Sequence, residues 1–500
     1  MTTSMRTVMA RLTAAGALAA AGACASTPAY RTPNAAMAAS FKELPAPDSQ
    51  LGLAWKSAQP QDDKLRPKWW EAFGDPALSA LEERVASANP TVAQADATFR
   101  AARAALRLAG ADLYPTIGVT GSASASRPSA NRTETRAVQG TPANATATVS
   151  TVGTVQDYLV ESDISYEPDL WGRVRDSIRA GAATAQAAAA DLQNTLLSLQ
   201  TDLAVDYIEL RGIDIEIRLL RDATDSYSRA LQLTINRHDQ GVASGADVAQ
   251  ARAQLETTRV QATDLTIARA QMEHAIAVLT GQPPSALSLE ATTAMLAPPP
   301  IPIALPSELL ERRPDIAAAE RRAAAANAEI GVAHAAFYPT LALTGSAGLE
   351  SAAISTLLDW PSRLWSLGAA LAQTAFDGGR RRAATDQAIA NYDATVGAYR
   401  DSVLTAFQQV EDNLVALRVL ADEAEEQQLA VDAAEQSLVI ADNQYQGGIA
   451  SYLNVITAQN VALTSERDAA DLLTRRLTAS VELVKALGGG WTVGDLPKVR

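Results

Sequence analysis

The chain has 500 residues, 47% hydrophobic, only 5% aromatic and 20% charged, with a formal net charge of −14. An acidic chain without a basic stripe argues against nucleic acid as a partner. The single cysteine, Cys24, excludes an intramolecular disulfide, and three scattered histidines (His238, His274, His334) form no metal-ligating cluster.

Residues 1–23 read as a signal peptide. Arg6 and Arg11 give a positive start, and an apolar run of small residues from Leu12 to Ala23 is too short to span a bilayer. Its removal would take the charge to −16, because residues 1–23 hold those two arginines and no acid. Ala21-Gly22-Ala23-Cys24 resembles the bacterial lipobox, with alanine where leucine is usual. The expectation is a covalent lipid on Cys24; the alternative is an ordinary cleavable signal cut after Ala23 or Ala25. Ala25 is not the aspartate that usually retains lipoproteins at the inner membrane, so the outer membrane is expected. No later segment approaches ~18 continuous apolar residues, so any membrane span would be a closed barrel.

Internal repetition organises the rest. Asn89-Pro90 opens a helical stretch ending in Tyr114-Pro115-Thr116 and Thr120-Gly121-Ser122. Arg313-Pro314 opens another ending in Tyr338-Pro339-Thr340 and Thr344-Gly345-Ser346, at a constant offset of 224. Further on, Gly172-Arg173 matches Gly379-Arg380, Gly241-Val242-Ala243-Ser244 matches Gly448-Ile449-Ala450-Ser451, and Gly281 matches Gly488, at an offset of 207. The difference of 17 locates an insertion between residues 122 and 172 of the first copy. The expected divisions are a signal peptide (1–23), a lipidated linker (24–64), a first repeat (65–282), a proline-rich extended connector (283–306), a second repeat (307–489) and a tail (490–500).

Each copy begins with a helix of about 23 residues (90–112; 314–336). Two segments of period-2 alternation follow, the mark of strands with one apolar and one polar face. In the first, Ile117, Val119, Ala123 and Ala125 alternate with Thr116, Thr120, Ser122 and Ser124. In the second, Tyr158, Val160, Ile164 and Tyr166 alternate with Asp157, Glu161, Asp163 and Glu167. The second copy repeats this with Leu341, Leu343 and Ala347 against Thr340, Thr344 and Ser346, and more weakly around Trp365, Leu367, Ala369 and Leu371.

Proline is then absent from 169 to 282 and from 362 to 496. Val403, Phe407, Val410, Leu414 and Leu417, like Leu196, Leu199, Leu203, Tyr207 and Leu210, keep heptad spacing, the seam of a coiled coil. Residues 169–240 would make a helix of roughly 108 Å, far beyond what a compact bundle needs. Gly-bearing turns at 240–245 and 447–452 fold each tract into a hairpin. The return helix and the short leading helix, stacked end to end, would nearly match the long one.

Four strands per chain cannot close a barrel, since single-chain barrels begin at about eight, and lipid does not tolerate open sheet edges. Several copies must contribute, and three would supply twelve strands. Asp157, Glu161, Asp163 and Glu167 would then give the lumen an acidic lining; the alternative is a solvated hairpin face.

Taken together, Trp69-Trp70-Glu71-Ala72-Phe73-Gly74-Asp75-Pro76, Asp169-Leu170-Trp171-Gly172-Arg173, Arg312-Arg313-Pro314-Asp315-Ile316 through Phe337-Tyr338-Pro339-Thr340, and Phe376-Asp377-Gly378-Gly379-Arg380 give the chain a family resemblance. From about residue 65 to 490 it resembles the TolC-like outer-membrane factors, specifically the NodT-type efflux lipoproteins. The resemblance implies an α+β membrane protein: a homotrimer whose twelve-stranded β-barrel continues as a long periplasmic α-helical barrel, with four strands and two coiled-coil hairpins per chain. It implies a passive duct with no chemistry or cofactor of its own. A periplasmic membrane fusion protein and an inner-membrane pump, commonly of the resistance-nodulation-division type, would be its partners.

In such proteins the two hairpin turns, with Gly241, Val242, Ser244, Gly448, Ile449 and Ser451, form the periplasmic tip that meets the adaptor. The helix after the second turn carries a constriction, Leu and then Asp four residues on. Leu453 matches the first; Thr457 stands at the second, so the usual acidic ring is missing, and Asp247 and Asn454 are the nearest polar candidates. Thr374 departs where proline often precedes the Phe-Asp-Gly-Gly turn. Neither a Gly-x-x-x-x-Gly-Lys-Ser/Thr loop nor His-Glu-x-x-His occurs, so an enzyme is not expected. The competing classes are a periplasmic adaptor, which would carry one hairpin rather than two, and the outer-membrane duct of a type I protein secretion system.

Overall fold

The computed structural model describes residues 29–34, 41–43, 68–127, 129, 135–137, 146–148, 154–294, 296–299 and 312–490. The signal peptide, Cys24, most of the 24–64 linker, the later part of the connector and residues 491–500 lie outside the described residues. The chain divides into two compact units. One comprises Met1–Tyr30, Ala104–Gly181 and Ala325–Tyr392, and the other Arg31–Arg103, Ala182–Ala324 and Asp393–Arg500.

The first unit holds the strands: β1 (Thr116–Ser126), β2 (Thr135–Ala137), β3 (Thr146–Thr148), β4 (Val155–Tyr166), β5 (Thr340–Ser351) and β6 (Arg363–Ala372). β1, β4, β5 and β6 form one antiparallel sheet in that order, and β2 pairs with β3 in the loop between β1 and β4. That loop runs over 127–154 against 352–362 between β5 and β6, so the 17-residue excess sits there. Register turns the alternation into faces. Ile117, Ile164, Gly345 and Leu367 form one cross-strand row, and Val119, Ser162, Ala347 and Trp365 another. Ile117, Val119, Ile164, Trp365, Leu367 and Leu371 are all exposed. The opposite face carries Gly118, Asp163, Ser346 and Ser366 in one row, with Thr120, Glu161, Gly348 and Leu364 in the next.

The helices are α1 (Pro76–Ala88), α2 (Pro90–Ala111), α3 (Arg173–Asp239), α4 (Gly245–Leu279), α5 (Pro314–Ala335), α6 (Arg380–Gln446) and α7 (Tyr452–Ala486). The copies match in length: α3 and α6 have 67 residues, α4 and α7 have 35, α2 and α5 have 22. The leading helices thus stop one residue short of the expected ends. At ~1.5 Å per residue each long helix measures ~100 Å. No helix among the described residues is long and apolar enough to cross a membrane.

The four hairpin helices end in one way. Gly241, Gly281, Gly448 and Gly488 have φ of 75°, 70°, 74° and 92°, which only glycine adopts without strain. Each donates its N–H three residues back, and the next residue donates five back, as Val242 N to Arg237 O and Ile449 N to Gln444 O. These paired bonds are Schellman motifs, closing carbonyls the helix leaves unpaired.

At two of these ends the short helices abut within the second unit. The Asn89 carboxamide accepts from Thr91 N at 2.7 Å, capping α2, while its Nδ2 donates to Leu279 O at 2.7 Å, closing α4. In the second copy Arg313 Nη1 donates to Ala486 O at 2.9 Å. A Cβ on Gly281 would lie 2.2 Å from Ala88 O, and one on Gly488 2.0 Å from Arg312 O. The expected end-to-end contact is thus a tight junction that requires glycine on one side.

The core of this unit joins Trp69, Trp70, Phe73, Leu78, Leu81 and Val85 to Leu203, Tyr207, Leu210, Val410, Leu414 and Leu417 from the two heptad seams. Trp69 meets Trp70 and Phe73 edge-on, with ring centroids 5.8 and 6.3 Å apart, a favoured aromatic geometry. Gly74 takes φ 68° to end the Trp69–Phe73 turn. Asp75 caps α1 through Ala77 N and Leu78 N, with Pro76 at the first helical position, its favoured place. The N-terminal segment runs along α6: Asn34 O accepts from Arg400, Phe41 packs on Phe407, and Glu411 receives the backbone N–H groups of Lys42 and Glu43.

Candidate functional site

Among the described residues, no group of three or more His, Cys, Asp or Glu could hold a metal ion. His238 bonds the Ala243 carbonyl across the turn, and His334 lies against Phe337 and Tyr338. The chemistry-bearing regions are the paired hairpin turns and the polar face of the sheet.

The turns α3–α4 and α6–α7 come together. Arg237, in the last turn of α3, donates from Nη1 to Tyr445 O at 2.7 Å, and its guanidinium lies 4.6 Å from the centre of the Tyr445 ring. That is a cation–π contact between a helix C-terminus and its neighbour. Tyr445 and Tyr452 pack at 5.2 Å between ring centroids, over Ala251 and Val455. Gly241 and Gly448 hold the left-handed positions; Val242 and Ile449, one residue on, are exposed. At this point of a Schellman motif an apolar side chain usually packs back on its own helix. Here both side chains remain largely exposed.

Ser244 and Asp247 form a capping box at the start of α4. Asp247 N donates to Ser244 Oγ at 3.2 Å, and Ser244 N to Asp247 Oδ2 at 2.9 Å. The Asp247 carboxylate therefore caps a helix, which gives it a local structural task. In the second copy Ser451 makes no side-chain cap bond and Asn454 stands in place of Asp247. Leu453, Asn454 and Thr457 share the exposed face of α7, opposite Tyr452, Val455, Ala458 and Gln459. The Thr457 hydroxyl donates to Leu453 O at 2.9 Å, so this face carries no carboxylate at that position.

On the sheet, Asp157, Glu161 and Asp163 alternate along β4 on the polar face. Gly118 lies opposite Asp163, and a Cβ there would sit 2.6 Å from the carboxylate; the glycine makes room for the acid to lie across β1. Ser346 and Ser366 hydroxyls meet at 2.9 Å in the same row. Glu167 departs from this set: β4 ends at Tyr166, and Glu167 pairs with Arg173 Nη2 at 3.0 Å at the start of α3. The strand has ended at Tyr166, one residue earlier, so the alternation stops before Glu167. Thr374 lies beyond Ala372, the last residue of β6, and leaves that strand intact.

A buried ionic chain has no repeat or motif to announce it. Asp214 on α3 accepts from Arg211 at 3.1 Å and from Arg269 of α4 at 2.7 Å, and Arg269 reaches Glu273 at 3.2 Å. These groups bind the start of the connector: Arg211 donates to Glu290 O, Arg269 to Leu289 O, Leu289 N to Glu273 and Thr292 N to Asp214. Proline content reads as an extended connector for this segment, and its residues 289–292 are held by charged hydrogen bonds, which are stronger than neutral ones. The only sequence hint is the 3-, 55- and 4-residue spacing of oppositely charged residues, too common to read.

The family model described as outer membrane efflux protein matches residues 81–282 and again 305–489. The pyoverdine export outer membrane protein OpmQ of Pseudomonas aeruginosa is 32% identical over 94% of this chain and 94% of its own length. The toluene efflux pump outer membrane protein TtgC of Pseudomonas putida is 31% identical over 94% of this chain and 93% of its own. Among solved structures, the outer-membrane channel OprN superposes with a TM-score of 0.82 at 29% identity, covering 94% of this chain and all of OprN.

Proposed function

The chain belongs to the outer membrane efflux protein family, and from that premise we propose that three copies assemble into one outer-membrane duct that carries small molecules out of the periplasm. The supporting observation is the four-stranded sheet, with apolar side chains exposed along one face, acids and hydroxyls along the other, and both β1 and β6 unpaired at its edges. Such a sheet satisfies its backbone in lipid only by joining copies of itself. Three copies give twelve strands, with Ile117, Val119, Trp365 and Leu367 towards lipid and Asp157, Glu161 and Asp163 towards water, the polarity of a water-filled barrel.

The long hairpins extend the duct, and the paired turns are its docking end. Val242 and Ile449 meet a periplasmic adaptor, which links the duct to an inner-membrane pump that supplies the energy. Leu453, Asn454 and Thr457 line the narrowing near that end. Two relatives named for pyoverdine and toluene favour small-molecule efflux over protein secretion, and cargo choice rests with the pump. Cys24 carries the lipid; it lies ten positions before Asn34, which accepts from Arg400 of α6, a reach of up to ~35 Å.

Cross-linking in outer membranes tests the assembly: a trimer band is expected, and a dominant monomer overturns the barrel. For the anchor, Cys24→Ser should abolish labelled palmitate incorporation; unchanged labelling removes the lipid from Cys24.

A further inference from the structure

We propose that Phe376 of each copy stacks on Tyr114 of the next, closing the ring of copies with an aromatic contact at the helix-side rim of the sheet. The proposal rests on the trimeric reading above and names the contact that would hold it.

Where β4 leaves the sheet, Trp171 stacks on Tyr338, with ring centroids 4.9 Å apart and planes 16° from parallel. Trp171 Nε1 also donates to Pro339 O at 2.6 Å. Trp171 lies five residues after β4 ends, and Tyr338 two residues before β5 begins. β4 and β5 are adjacent and antiparallel, so the exit of one meets the entry of the other. This contact ties the first copy of the repeat to the second.

Among the described residues, this contact has no intrachain counterpart on the other side. Tyr114 is the counterpart of Tyr338 at the 224-residue offset, two residues before β1. It is 71% exposed, and β1 is an open edge of the sheet. Phe376 follows β6, the other open edge, by four residues and is 89% exposed. Its loop is nonetheless held at both ends. Gln373 Nε2 donates to Phe337 O at 3.0 Å, and Asp377 accepts from Gly379 N at 3.1 Å and from Arg381 Nε at 2.6 Å. The ring is thus exposed on a loop that hydrogen bonds hold in place.

If β6 of one copy pairs antiparallel with β1 of the next, as β4 pairs with β5, the exit carrying Phe376 meets the entry carrying Tyr114. The two rings then stand as Trp171 and Tyr338 do. Strict alignment places Gly378 at the Trp171 position, so the ring is supplied from two residues earlier. A rival occupant is the lipid headgroup layer, where aromatic girdles also sit.

Cysteines at both positions test this in the full-length chain in outer membranes. With a short bis-maleimide, the Tyr114→Cys/Phe376→Cys double variant should shift the monomer band to covalent dimer and trimer, while each single variant and the wild type stay monomeric on denaturing gels. An amine-reactive cross-linker on the same membranes reads the assembly separately. Trimers with the amine reagent but no ladder from the double variant overturn the contact and leave the trimer standing; monomers with both overturn the trimer itself. A photoreactive benzoylphenylalanine at 376, which keeps the aromatic bulk, covers poor folding of the cysteine variants. Capture of a Tyr114-bearing peptide from a second chain supports the pair, and capture of lipid alone overturns it.

Discussion

The Tyr207 hydroxyl donates to Asp75 Oδ2 across 2.7 Å, linking the long helix α3 to the cap of α1. The same phenol oxygen accepts from Arg211 Nη2 at 3.0 Å, so one buried tyrosine joins the N-terminal core to the ionic chain that grips the connector. Burial and the Asp75 carboxylate push its pKa up to about 12, which keeps it a donor at physiological pH. Tyr207→Phe should lower unfolding free energy by about 1.5–3 kcal/mol, the usual scale for a buried bond to a charged group. Denaturant melts of the purified protein would show it, and an unchanged midpoint would mean that the bond adds nothing.

The junction glycines make a sharper prediction. Gly281→Ala and Gly488→Ala each place a Cβ against a backbone carbonyl at a left-handed position. Each should cost about 2–3 kcal/mol, combining backbone strain with displacement of the abutting helix. Gly110→Ala in α2, where a Cβ meets open space, should instead be neutral or raise stability by ~0.5–1 kcal/mol. Equal melting temperatures for all three variants would count against the close junctions.

Asp206 supplies a pH signature. Burial first, and then the carboxylates of Glu209 and Asp202, raise its pKa from 3.8 to about 6. The fold favours the neutral acid, so its contribution is full below 3.8 and is lost as pH rises through about 6. Asp206→Asn should therefore raise the melting temperature at pH ~7.5 but not at pH ~4. The gain at the higher pH is about 1 kcal/mol, allowing for the partial exposure of the group. A pH-independent difference would point to packing instead.

At the proposed narrowing, Thr457→Asp restores a carboxylate to the exposed face shared with Leu453. It should increase the cation-to-anion permeability ratio of channels in planar bilayers, since an acidic ring attracts cations. An unchanged ratio would take Thr457 out of the constriction.

Most of the architecture was legible in the sequence because it is periodic and duplicated. Period-2 alternation marked β1, β4 and β5, heptads marked α3 and α6, and the two offsets placed the insertion in the β1–β4 loop. Register and glycine turns follow from local rules, since side-chain facing and left-handed φ depend on neighbouring residues alone. What escaped depended on residues distant in the chain. The Asp214 chain joins α3, α4 and the connector, and Arg237 meets Tyr445 across 208 positions. Such contacts rest on common residue types whose meaning comes only from proximity. The sequence by itself determined a twice-repeated unit of strands and helical hairpin, because hydrophobic spacing dictates which faces must be buried. Only the tertiary structure decided which acids cap helices, which pair with arginine and which lie open on the sheet, because a charge is placed by the partners that folding brings within reach.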